Sequence, residues 1–474
     1  MKTSWLALAW VLSLPIAARA DAVSALALAR TDPVPLQLND AVALALRENR
    51  AIRRAHLKRV ADRFDLRVAR DRYAPQLLLK ARYLRHRDQN DRQREGQLIP
   101  GASLLTPYGT RLDLDWSYDH SEIQGQRPRQ RDGTNLTVVQ PLLRGAGVAV
   151  ATAPLRQAQL SEQLNRLALR ETVGQTISQV ILLYRALLRA QEQQTIADQA
   201  LQRARRLVDV NRALIETGRM AAFDIVQTQA EVATQELARE NSHRQLEESR
   251  LALAQALAID LSTPLLAVDE IEPRQVHLDA TRALARAKAQ QPAYLMLRLT
   301  GEQLAVDLLL AKDQQRWDLS LVAGAGQAHE KPGLGASWQH YVGLELAIPI
   351  GDLQLRQAQV RTQVALQEHA LGQAETDQQL QREVFNAVKD IQGRWRQLQI
   401  AGRALALSRR KLIVEQEKLS LGRSSNFEVL SFENDLRYAQ HARLDAAIAY
   451  LNGQTSLDLL LGTTLERWGV VLHD

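Results

Sequence analysis

The sequence predicts a tandem-repeat protein in which very long antiparallel helical hairpins alternate with short groups of amphipathic β-strand. Three observations carry this reading. The phrase "TGRMAAFDIVQTQAEV" at 217–232 returns 204 residues later as "LGRSSNFEVLSFENDL" at 421–436. Proline is absent between Pro154 and Pro264, and again after Pro349. Between the helical stretches of each half, apolar residues alternate with polar ones.

The chain opens with Lys2, an apolar run from Leu6 to Ile16 and "ARA" ending at Ala20. That is the layout of a secretory signal peptide over residues 1–20, which sends the mature chain out of the cytoplasm. No later stretch reaches the roughly 20 apolar residues of a spanning helix, so any membrane contact is expected through strands. Cysteine is absent, which excludes disulfides, thiol nucleophiles, thiolate metal sites and lipoprotein acylation. Without Lys2 and Arg19, 58 basic residues face 53 acidic ones. So mild a surplus does not argue for a nucleic-acid partner.

The proline-free stretches are dense in Ala, Leu, Gln, Arg and Glu, residues that lose least on entering a helix. Pro154 to Gly218 predicts a helix about 95 Å long, and Gly351 to Gly422 one of about 105 Å. Such helices need a partner along their whole length. Val384, Ile391, Leu398, Leu405, Leu412 and Leu419 recur every seven residues, with Val388 and Trp395 interleaved, which is a coiled-coil seam. The positions 204 earlier are Val180, Leu187, Gln194, Leu201, Val208 and Ile215, so five of the six stay apolar. After Gly218 and Gly422 the helical pattern resumes, making each glycine the left-handed cap at the tip of a hairpin.

The strand regions read differently. Leu112, Leu114, Trp116 and Tyr118 alternate with Arg111, Asp113, Asp115 and Ser117, and Val342, Leu344, Leu346 and Ile348 share one face. This pattern fits either a half-buried soluble sheet or a membrane barrel wall. Tyr83, Trp116, Tyr118, Trp317, Trp338 and Tyr341 lie where an interfacial girdle would need them. The first half offers strands at 77–85, 111–119 and 134–142, and either 97–105 is a fourth or one of the three lies outside the wall. The segment "LNDAVALALRENR" (38–50) matches "LDATRALARAKAQ" (278–290) at an offset of 240. Two repeats follow from this. The first, 21–260, holds strands over about 76–142 and a hairpin over 147–260. The second, 261–474, holds strands over about 317–349, a hairpin over 351–462 and a C-terminal tail.

The leader, the tandem halves, the paired hairpins and the tip phrase G-x4-F-[DE]-[IV]-[VL] together resemble the TolC family of outer-membrane efflux and secretion channels. The resemblance covers essentially all of the mature chain. It implies an α-helical coiled-coil barrel joined to a transmembrane β-barrel, both shared by a homotrimer, usually with four strands from each chain. It also implies outer-membrane lipid around the strands, a helical barrel in the periplasm, a periplasmic adaptor at the hairpin tips, and an inner-membrane transporter behind it. Efflux of small molecules and secretion of polypeptide are both compatible with it.

By position after the tip glycine, the resemblance makes Glu428 a pore-facing acid and Asp224 a carboxylate of the closing links. The second pore acid of the family falls on Ser431, leaving Glu433 or Asp435 to compensate. Arg423 follows Gly422 directly, and Ser424 holds the place of the closing-link arginine. Gly218, Arg219, Gly422, Arg423, Ser424 and Ser425 form the tips that would meet an adaptor. Glu428 has a second reading, because Ser425-Asn426-Phe427-Glu428 is a capping box. Asp224 has one as an acid that complements the helix dipole. Phe223 and Phe427 are expected to pack inside the tips. No catalytic, cofactor or metal motif is present, so no enzyme is expected. The rival reading is a secreted or periplasmic coiled-coil scaffold without a pore.

Overall fold

A computed structural model describes residues 33–87, 92–125, 127–333 and 335–472; the expected leader lies outside the described residues. Two helices dominate, Ala153–Glu216 with 64 residues and Leu353–Ser420 with 68, about 96 and 102 Å long at 1.5 Å per residue. Pro154 falls in the first turn, where its missing N–H costs nothing. Both helices end in the same way. Gly218 and Gly422 take φ of 72° and 70°. Their N–H groups donate to Ile215 O and Leu419 O, and the next N–H groups, of Arg219 and Arg423, reach back to Leu214 O and Lys418 O. These are Schellman caps, and the left-handed residue they require is glycine. Among the described residues no helix is long and apolar enough to cross a membrane.

The described chain divides into two compact units, each drawing on both halves of the sequence. The first takes the residues up to Asn49, Val180–Glu272 and Ile400–Ile448. It contains the two hairpin tips and a small parallel pair, β1 (Val34–Leu36) with β6 (Leu265–Ala267). Val180, Leu187, Leu253 and Leu257 are fully buried here around Ala41 and Ala45. Tyr184 lies in the same cluster. Its hydroxyl donates to Asp269 Oδ2 at 2.6 Å and also lies 2.8 Å from Leu36 O, while Leu38 N donates to the same carboxylate oxygen at 2.7 Å. Burial, aided by Asp269, pushes the Tyr184 phenol well above its usual range, so it stays a donor.

The second unit takes Arg50–Gln179, Pro273–Gln399 and the chain from Ala449. Ala283 and Ala287 pack with Val384, Val388, Leu457 and Leu461. This repeats the packing of Ala41 and Ala45 on Leu253 and Leu257, so that Ala283 stands for Ala41, Ala287 for Ala45, Leu457 for Leu253 and Leu461 for Leu257. The alignment read from the sequence set Ala41 against Thr281 instead, and is therefore out of register. Helices Leu38–Glu48 and Arg50–Asp71 of the first half correspond to Ala280–Gln290 and Pro292–Asp313 of the second, each pair equal in length. The sequence match aligned leucines, whereas the fold aligns the small residues that let helices approach.

The six-stranded sheet of this unit follows the order β2 (Gln76–Arg87), β3 (Arg92–Leu105), β4 (Arg111–Ile123), β5 (Arg129–Pro141), β7 (Asp318–Lys331), β8 (Gly335–Ala347), antiparallel throughout. The first half thus has four strands, and 97–105 is the helix-proximal part of β3. Pro100 obscured it in the sequence. The ladder to β4 lapses at Ile99 and Pro100, as a residue without N–H requires, while the ladder to β2 continues. One chain closes no barrel, because β2 and β8 remain edges.

Candidate functional site

Two places carry the chemistry that the sequence singled out. The first is the tip of the second hairpin. Helix Asn426–Leu461 starts with Ser425 as cap: Glu428 N donates to Ser425 Oγ at 3.3 Å, and Ser425 N donates to Glu428 Oε2 at 3.1 Å. Ser424 Oγ and Ser425 Oγ lie 3.0 and 3.3 Å from the same carboxylate oxygen. The Ser425 N–H, followed by the two serine hydroxyls, holds the Glu428 carboxyl below its usual range. Crowding of like charges in a ring would push it the other way. The Glu415 carboxyl is also held below its usual range, by Ser424 and then Lys418 beside it.

The other acids are placed less alike. Glu433 is largely buried, accepting from Arg203 Nε at 2.7 Å and from Gln416 Nε2 at 3.1 Å. Asp435 is exposed and paired with Lys411 at 3.0 Å, and Lys411 also sits 3.6 Å from the centre of the Phe432 ring. Asp224 ends the 3₁₀ turn Ala222–Asp224 and makes no side-chain cap. Arg219, Arg423 and Ser425 are exposed, and Ser424 is half-buried.

Phe223 and Phe427 do not pack inside the tips. They are 76% and 68% exposed, and the tip interior is filled by Leu207, Leu419, Val429 and Leu430, with Met220 against them. A residue early in a capped first turn projects outward, while those following it meet the partner helix. Arg203 and Gln416 were missed by sequence reasoning; nothing in their spacing marks them, since their partner Glu433 is brought to them only by helix packing.

The second place is the sheet. One row across the ladders reads Leu77, Ala102, Leu114, Leu136, Ala325, His340. The neighbouring row reads Leu78, Gly101, Asp115, Asn135, Gly326, Gln339. Register therefore gives the sheet one mainly apolar and one mainly polar face, with Leu78 and Ile99 as exceptions on the polar one and Asp132 and His340 on the apolar one. A slip of one residue in any ladder would break this. Lys80 and Arg82 join the polar face on β2, Asp113 on β4 and Glu345 on β8. Away from the helices the apolar face carries Tyr83, Tyr118 and Trp338, and beyond Tyr83 it turns to arginine. Tyr341 is not part of this belt. It pairs with Gly324 on the polar face, where a Cβ at 324 would fall 2.5 Å from its ring.

No protein-family model and no curated protein matches the sequence. Solved structures do. The CmeC outer membrane channel of Campylobacter jejuni is 14% identical with a TM-score of 0.69, over 90% of this chain and 86% of its own. The open state of the MtrE outer membrane channel of Neisseria gonorrhoeae is 14% identical with a TM-score of 0.69, over 90% and 89%. The outer membrane protein VceC of Vibrio cholerae is 15% identical with a TM-score of 0.68, over 90% and 96%. At this identity the likeness is one of fold, and it extends over nearly the whole of each chain. The chain has the TolC-like fold.

Proposed function

We propose that the protein is a passive exit duct of the outer membrane. Three copies share a β-barrel in the lipid and a helical barrel in the periplasm, and carry material delivered by an inner-membrane transporter through a periplasmic adaptor. The observation that carries this reading is a mainly apolar, exposed face that runs across six strands, backed by a mainly polar one. A soluble sheet lays its apolar face on a core, yet Leu77, Leu79, Val342 and Leu344 are 66–83% exposed. Lipid is the solvent that suits such a face, and water in a lumen suits the other.

In this reading the chain consists of two repeats, 21–260 and 261–474, and the hairpin tips form the periplasmic mouth. Arg219 and Arg423, with the exposed Phe223 and Phe427, offer an adaptor both charge and apolar surface. Glu428 sits where three copies would bring their carboxylates together. Efflux and secretion share this architecture.

The test is fractionation of the cell envelope followed by planar-bilayer recording of the purified protein. Recovery from the outer membrane as a trimer that conducts ions supports the duct. A soluble or inner-membrane protein that fails to conduct would favour the coiled-coil scaffold instead.

A further inference from the structure

We infer that each chain contributes six strands to the membrane wall, where the family resemblance implies four, so that three copies close an eighteen-stranded barrel with β2 of one copy pairing against β8 of the next. This rests on the trimeric-channel reading above.

The hairpin that makes the difference belongs to the wall. β2 pairs with β3 through an unbroken register from Gln76↔Ser103 to Arg87↔Arg92, and β3 continues into β4. The apolar row of Leu77, Leu79 and Ala81 continues through Ala102, Pro100 and Leu98 of β3, while on the other face Leu78 and Ile99 interrupt Lys80 and Arg82. Its length is also accounted for. Between helices Arg50–Asp71 and Ala153–Glu216 the chain makes four strands, whereas between Pro292–Asp313 and Leu353–Ser420 it makes two. The stretch by which the first half outruns the second is thus taken up by one strand pair with its turns.

The two edges suit each other. β2 has 12 residues and β8 has 13, and every one of them is exposed. With six alternating strands, β2 of one copy runs antiparallel to β8 of a neighbour, as closure demands. The apolar faces then join, Leu77 and Leu79 meeting the side that carries Leu344 and Leu346. On the polar face, Lys80 of β2 and Glu345 of β8 bring opposite charges to the helix-proximal half. An edge left open in lipid would strand its N–H and C=O groups.

The absence of cysteine makes the test clean. Lys80→Cys on β2 is combined in turn with Gln339→Cys, Tyr341→Cys, Gly343→Cys and Glu345→Cys on the polar face of β8. The full chain is oxidised in outer-membrane vesicles and run on a non-reducing denaturing gel. A second series replaces Lys80→Cys by Asp115→Cys on β4. The expected result is loss of the monomer band to covalent dimer and trimer at one or two neighbouring β8 positions in the β2 series, and none in the β4 series. Cross-links from β4 alone would mean a four-stranded contribution, and would overturn the inference. So would a trimer by native mass spectrometry with no cross-link in either series. A monomer in that measurement would instead overturn the channel reading on which the inference rests.

Discussion

Arg203 Nε donates to Glu433 Oε2 at 2.7 Å, fastening the first long helix to the last one across 230 residues of sequence. The side chains are only 20% and 15% exposed, and Gln416 takes the other carboxylate oxygen. Glu433→Gln keeps the shape and strands the guanidinium charge, so it is expected to destabilise the hairpins by about 2–4 kcal/mol. Urea unfolding followed by circular dichroism measures this. Arg203→Met combined with Glu433→Leu is expected to recover most of the loss, because neither partner is then orphaned. A single-variant effect below about 0.5 kcal/mol would show that the pair behaves as a solvent-screened surface bridge.

Glu428 is expected to stay ionised through the ordinary glutamate range near pH 4.3. Its folded carboxyl is depressed by the cap. The stabilisation it gives is therefore present above the unfolded value and is lost only as pH falls through the lower folded one. A carboxyl carbon titration by NMR reads the direction for the assembled protein. A midpoint above the usual range would mean that ring crowding outweighs the serine donors. Glu428→Gln retains the acceptor while removing the charge, and is expected to leave folding intact and weaken block of the channel by trivalent cations from the periplasmic side.

The helical seam gives a graded expectation. Val384 is 0% exposed, while Leu398, two heptads on, is half-buried. Val384→Asp places an unpaired charge in a closed core and is expected to cost about 3–5 kcal/mol, enough to lose most of the assembled protein. Leu398→Asp has access to water and should cost clearly less. The yield of assembled protein, compared between the two, decides whether burial or heptad position sets the penalty.

Adjacent wall residues should respond in opposite ways. Leu114→Arg puts a charge on the apolar face and is expected to cost about 2–4 kcal/mol near the bilayer centre. Asp113→Arg lies one residue away on the polar face and should leave insertion unchanged while shifting ion selectivity. Refolding into lipid vesicles measures the first, and reversal potentials measure the second. Equal penalties at 113 and 114 would contradict the two-faced wall.

The long helices and their tips were legible because their signals are local: absence of proline, a seven-residue period, and a glycine where the chain must turn left-handed. The strands were legible only where alternation was clean. β3 was obscured by Pro100, Gly96 and Gly101, which interrupt a pattern that pairing with β2 sustains. The capping box at Ser425 and Glu428 could be read from a four-residue spacing. The pair Arg203 and Glu433 could not, since it depends on which faces of distant helices meet. The exposure of Phe223 and Phe427 ran against hydrophobicity alone, because first-turn geometry decided it.

The short parallel pair of β1 with β6 also bears on the order in which the chain can fold. Val34 pairs with Leu265, and Tyr184 and Asp269 bind the same spot. The N-terminal strand thus has no partner until more than half of the chain has been synthesised, and such distant pairings form slowly. Meanwhile the apolar stripes of the first half stay uncovered, a state prone to aggregation. The core around Ala41, Ala45 and Leu253 also includes Leu265 and Ala267, which lie beyond residue 260. Two halves written as copies of one another are therefore not two independent folding units, and a fragment ending at 260 should remain a substrate for chaperones and proteases.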